Sequence, residues 1–193
     1  MSFENMLVHS GDIFRPSLTA DGEGGQSVSL LPQVEDIEAY VRPLRSDEIV
    51  YDDQQRPIYT DDIFVEADTD IGEGDVFYQY DPESAVEVTG TTDAGSSVSQ
   101  IIDDALTQAD DYWNGSVIKC TTGSNSEKRV VEDFDAATDK VTPETNFTIT
   151  ITPSTTVYDM ITAIRYKIMS IERNYNNRHR IMKLSALKIG GLS

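Results

Sequence analysis

Strand-like alternation occupies both ends of this chain and is interrupted in the middle, and that interruption most limits the folds open to it. Glu35–Leu44 (EDIEAYVRPL) sets Ile37, Ala39 and Val41 against charged neighbours, the two-residue period of a half-buried strand. Met6–Arg15 (MLVHSGDIFR) is apolar enough for another, which Pro16 ends or places at an edge. IVYDD and PIYTDDIFVE flank a turn-like QQRP, and VFYQY and AVEVTG follow the polar turn DTDIGEGD. After residue 160 the same style returns in RYKIMSIER and RIMKLSALKI, joined by the turn NYNNR. Strands this far apart still need partners. Residues 1–92 and 161–193 are therefore expected to build one small β-barrel or sandwich, with 93–160 as an insertion.

The insertion changes period. After the linker-like TTDAGSS, Val98, Ile101, Ile102, Ala105, Leu106, Ala109 and Tyr112 recur at helical spacing, and Asp103, Asp104, Asp110 and Asp111 take the other face. The spacing predicts a helix over Val98–Trp113, stopped by Asn114-Gly115. Three strand-like runs follow: SVIKC, EKRVVEDFD and the alternating FTITIT. The expected class is mainly β, a small barrel or sandwich carrying an inserted α+β module of one helix plus strands.

Charge divides along the same lines. Of the 15 Lys and Arg, seven lie in 161–193 (Arg165, Lys167, Arg173, Arg178, Arg180, Lys183, Lys188), where the only acid is Glu172. Residues 1–160 keep eight basic and 33 acidic residues, so a segment near −25 is tied to a tail near +6. Such asymmetry speaks of association through separate surfaces, because net charge governs encounters and not fold. The overall charge of −19 disfavours unassisted nucleic-acid binding, since phosphate contacts come from Lys and Arg. Tyr166 and Tyr175 are too few in the tail for a base-stacking platform. Lone Cys120 rules out an intrachain disulfide and a cysteine-built zinc site. With no 18-residue apolar run and no basic-then-apolar leader in MSFENMLVHS, the chain reads as soluble and unexported.

Little in the sequence carries chemistry. Asp68, Asp70, Gly72, Gly74 and Asp75 resemble the start of a calcium loop, but its twelfth position holds Gln79 where a bidentate glutamate is needed. A tight acidic turn is the better reading, with no metal. His9 and His179 have no nominated nucleophile or orienting acid. The adjacent pairs Asp52-Asp53, Asp61-Asp62, Asp103-Asp104 and Asp110-Asp111 point side chains in different directions and read as solvated faces. No phosphate loop, dinucleotide fingerprint or nucleophile elbow is present. The chain is expected to be no enzyme and to need no cofactor. The basic tail is the one functional charge feature, its bland reading being outward Lys and Arg that balance the acids of their own barrel.

Two stretches taken together resemble a known family. FENMLVHSGDIFRP, then EDIEAYVRPLRSDE and FVEADTDIGEGDVF, and at the end YKIMSIERNYNNRHRIMKLSALK, are similar to tailed-bacteriophage head-completion proteins, also called head-closure or stopper proteins. Between them, DALTQADDYWNGSVIKCTTGSNSEKRVVEDFDAATDKVT resembles a small β-rich module of phage virion proteins, matched at Trp113, Asn114, Gly115, Gly123, Arg129, Val130, Phe134 and Asp135. The resemblance implies a structural part of the virion neck, assembled in the bacterial host cytoplasm. Its partners would be itself in a closed ring, a dodecamer or hexamer, together with portal or adaptor proteins and tail or tail-terminator proteins. Contact with packaged DNA would be electrostatic and non-specific at most, and there would be no membrane. Subunit and partner contacts are expected on Arg165, Lys167, Arg173, Arg178, Arg180 and Lys183 of the tail, and on Asp68, Asp70, Glu73 and Asp75 of the acidic turn. That turn and the glycine-rich loop 20–27 read as mobile polar segments that order on binding. Alternatives are another neck, tail-terminator or head-decoration protein, or a carboxylate hydrolase of cell wall using Asp68 and Asp75.

Overall fold

A computed structural model describes residues 7–20, 25–45, 50–51, 57–80, 86–176 and 181–190. The first three residues of the expected turn QQRP, the Asp52-Asp53 pair, the tip of the glycine-rich loop at 21–24, and His179 lie outside them. The elements in chain order are β1 (His9–Ala20), β2 (Gln26–Pro43), β3 (Val50–Tyr51), β4 (Pro57–Tyr59), β5 (Asp61–Glu66), β6 (Val76–Tyr80), β7 (Val86–Thr91), β8 (Ile101–Ile102), β9 (Val117–Thr122), β10 (Asn125–Asp135), β11 (Lys140–Pro143), β12 (Val157–Ile161), β13 (Ile164–Asn176) and β14 (Ile181–Gly190). The chain is mainly β, and its residues group into two compact units. One comprises Met1–Pro16, Pro32–Glu83 and Ala163–Ser193; the other comprises Ser17–Leu31 and Ser84–Thr162.

The first unit contains a closed barrel with strand order β1-β2-β5-β14-β13-β6. Alternation decides which side chains enter it. Met182, Leu184 and Ala186 are fully buried at every second position of β14. Met182 faces Val65 and Leu184 faces Ile63 across the antiparallel ladder. Ile13, Phe77 and Tyr166 form a row across β1, β6 and β13, with the last two rings stacked 6.3 Å apart. Ala39, Val41, Ile71 and Ile168 complete the core. Burying each large aliphatic is worth roughly 1.5–3 kcal/mol, so this row structure supplies most of the drive for closure. Gly11 lets β1 approach β6, since a Cβ there would lie 2.2 Å from the carbonyl oxygen of Tyr78.

Neither proline ends its strand. β1 runs through Pro16 and β2 through Pro32, and both prolines lie where the residue groups divide. β2 instead bends at Asp36, whose φ of 55° is held by its amide donating 2.8 Å to the buried carboxylate of Asp12. The hydroxyl of Tyr80 donates to the other Asp12 oxygen. Burial, then the charge of Asp12, pushes the Tyr80 hydroxyl far above the ordinary tyrosine range, so it stays a donor.

The second unit holds a six-stranded sheet in the order β7-β12-β9-β10-β11-β8. Trp113, Phe134, Tyr158, Ile118, Cys120 and Met160 form the centre of its core, all fully buried. The helix expected over Val98–Trp113 is not there. Those residues make a bridge between Ser97 and Gln100, the two-residue β8, and turns. Short polar side chains win the local competition for backbone groups. Asp103 Oδ1 accepts from the Ala105 amide at 2.9 Å, Asp93 Oδ2 from the Asp104 amide at 3.1 Å, and Ser96 Oγ from the Ile102 amide at 2.9 Å. Ile101 and Leu106 are buried as the helical spacing implied, whereas Val98 and Tyr112 stay 38% and 41% exposed and Ala105 and Ala109 are exposed as well.

FTITIT also fails to enter a sheet, although Phe147 and Ile151 are buried. Side chains replace its ladder. Glu127 accepts from the Thr148 amide at 2.7 Å, Arg129 Nε donates to the Asn146 carbonyl at 3.2 Å, and Thr122 Oγ1 donates to the Thr150 carbonyl at 3.2 Å.

Cys120 offers a probe of this core. Burial, then the neighbouring Glu127, pushes its thiol up to about 12. The folded protein should therefore react with a disulfide reagent at pH 8 only through opening of the second unit. Labelling should be slow and rise steeply near the urea midpoint; labelling at the rate of a free thiol in buffer would contradict the packing.

Candidate functional site

The acidic turn between β5 and β6 is tied down at several points. Asp75 is 2% exposed and receives Arg15 through Nε and Nη2, each at 3.0 Å, a two-point pairing that fits a planar guanidinium. The same carboxylate accepts the Gly72 amide at 2.8 Å. Its hydrogen bond from Arg15 holds that guanidinium above its ordinary range against the opposing effect of desolvation. Asp70 is exposed but takes Gln33 Nε2 at 2.7 Å and Arg15 Nη2 at 3.5 Å. Gly74 turns the chain at φ 90°, and the Gly74 amide and Asp75 carbonyl bond to Ile168 of β13 at 2.9 and 2.8 Å. Asp75 is an internal anchor; Asp68, Asp70 and Glu73 face solvent.

The tail divides in the same manner. Lys183 reaches Asp62 at 3.2 Å from one side and Arg42 reaches it at 2.5 Å from the other. Asp62 is 1% exposed, so the reading of Asp61-Asp62 as a solvated pair is overturned: a buried carboxylate is held by two cations across β2, β5 and β14. Asp61 is also buried, with the Thr60 hydroxyl 2.5 Å from its Oδ2. Burial, then the charge of Asp61, pushes the Tyr166 hydroxyl up to about 12. Arg165 is half-buried and Lys167 exposed on β13. The backbone of Arg173 belongs to β13, but its side chain lies outside the described residues, as do Arg178 and Arg180 altogether.

β14 enters the sheet with Ile181 opposite Glu66, the residue that leads into the acidic turn. Beside that point lies an open groove of about 520 Å³, with Val34 and Ile37 flanked by Asp36, Glu38, Glu66, Asp68 and Asp70. Its surface is strongly anionic. Sequence reading marked Asp68 and Asp70 but missed Glu38 and Glu66, which arrive from β2 and β5 by strand pairing alone.

A second acidic cluster brings carboxylate oxygens of Asp93, Asp103 and Asp104 within 4.8 Å of one another. Asp103 is buried, contrary to its reading as a solvated helical face, and accepts the Tyr158 hydroxyl at 2.6 Å. Burial, then this bond, raises the Tyr158 hydroxyl well above its usual range. With the backbone bonds already described, the cluster serves as a set of turn caps. Arg129, matched in the virion-module resemblance, is 7% exposed and lies over the Phe147 ring at 5.5 Å. It pairs with Glu127 at 3.0 Å, and together they hold the 146–148 backbone. His9 meets Gln79 at 2.9 Å.

Among the described residues no helix is long and apolar enough to cross a membrane. No protein-family model matches the chain, and no curated protein or solved structure matches it.

Two substitutions test these assignments. Burial alone would raise the Glu127 carboxyl, but bonds from Thr148 and the charge of Arg129 outweigh it and hold the group below its ordinary value. A depressed carboxyl contributes stability above its unfolded value, which is lost as pH falls through the folded value. Glu127→Gln should therefore melt lower than the parent at pH 7, with the gap closing below about pH 4.5, near the unfolded value. A constant gap from pH 7 to pH 3 would contradict the assignment. Lys183→Ala should cost about 1–3 kcal/mol in urea denaturation, because it leaves Asp62 with one half-exposed partner. An unchanged midpoint would contradict this role for Lys183.

Proposed function

We propose that this chain is a structural protein of a tailed-phage neck. Copies form a ring at the head–tail joint that closes the DNA exit after packaging and offers a platform to the tail. One observation carries the reading. The two blocks of sequence that resemble head-completion proteins, although separated by residues 84–162, pair into a single closed barrel.

The charge pattern supports the same reading. A ring that closes by rotation uses two different faces on each subunit. The exposed acids Asp68, Asp70 and Glu73 and the tail cations Arg165, Lys167, Arg173, Arg178 and Arg180 are the contact residues of this proposal. Lys183 and Asp75 are withdrawn from it because each is committed to a partner within its own unit, Lys183 to Asp62 and Asp75 to Arg15. A net charge of −19 leaves few phosphate contacts to slow DNA on its way out, and repulsion reaches only about 8 Å at physiological salt.

An amber knockout in the phage, with lysates viewed by electron microscopy, tests the proposal. DNA-filled or leaking heads beside free finished tails are expected. Normally joined particles would overturn it and favour a decoration or non-virion role. Reversing Arg178 and Arg180 to Glu should lower infectious yield while the melting temperature of the purified chain holds; undiminished yield would remove these two residues from the interface.

A further inference from the structure

We draw no further inference here: the strongest candidate, the open groove beside β2 and the acidic turn where Glu38, Glu66 and Asp68 stand around Val34 and Ile37, is a cluster of surface carboxylates, and nothing in the structure shows what occupies it.

Discussion

Closure of the barrel depends on the last two strands. β14 pairs with β5 on one side, β13 with β6 on the other, and the two pair with each other. Without them β1, β2, β5 and β6 form an open sheet with two free edges and half of its core facing water. β6 ends at Tyr80 and β13 begins at Ile164, so the closing pairs are among the most distant in the chain. Loop closure over such a span adds only modestly to the entropic cost, because that cost grows with the logarithm of length. The rate is another matter: pairings this non-local form slowly.

Closure also explains why charges that look external are partly internal. Each strand brought into the ring needs its outward polar groups satisfied by neighbours. Asp62 on β5 finds Arg42 on β2 and Lys183 on β14; Asp75 finds Arg15 on β1. A buried carboxylate without a partner would cost several kcal/mol, so these pairs fix which strands stand side by side more than they add net stability. In the second unit Arg129 and Glu127 play the corresponding part, holding a stretch of chain that pairs with no strand. Lys167, Asp68 and Glu73 lie exposed outside these contacts.

Period-two alternation made the strands legible: Ala39 and Val41 are buried where the pattern put them, and Ile37 is partly so. It misled at FTITIT because alternation reports which side chains are buried, not what bonds the backbone. The helix over Val98–Trp113 was misread for a related reason. Its spacing marks buried Ile101 and Leu106, but Asp103, which looked like part of its polar face, is buried and, with Asp93, caps the turn that takes its place. The acidic turn carried a correct local signal, glycine and aspartate, yet its anchor Arg15 lies 60 residues away and no local pattern could name it. Glu38 and Glu66 were invisible as groove residues for the same reason: only strand pairing brings them together.

Hydrogen exchange read by mass spectrometry, on the full chain and on one ending after residue 162, tests the dependence on β13 and β14 most directly. The account predicts that peptides from β5 and β6 lose their protection in the shortened chain, while those from β9, β10 and β12 keep theirs. Full protection of β5 and β6 without the C-terminal strands would contradict it.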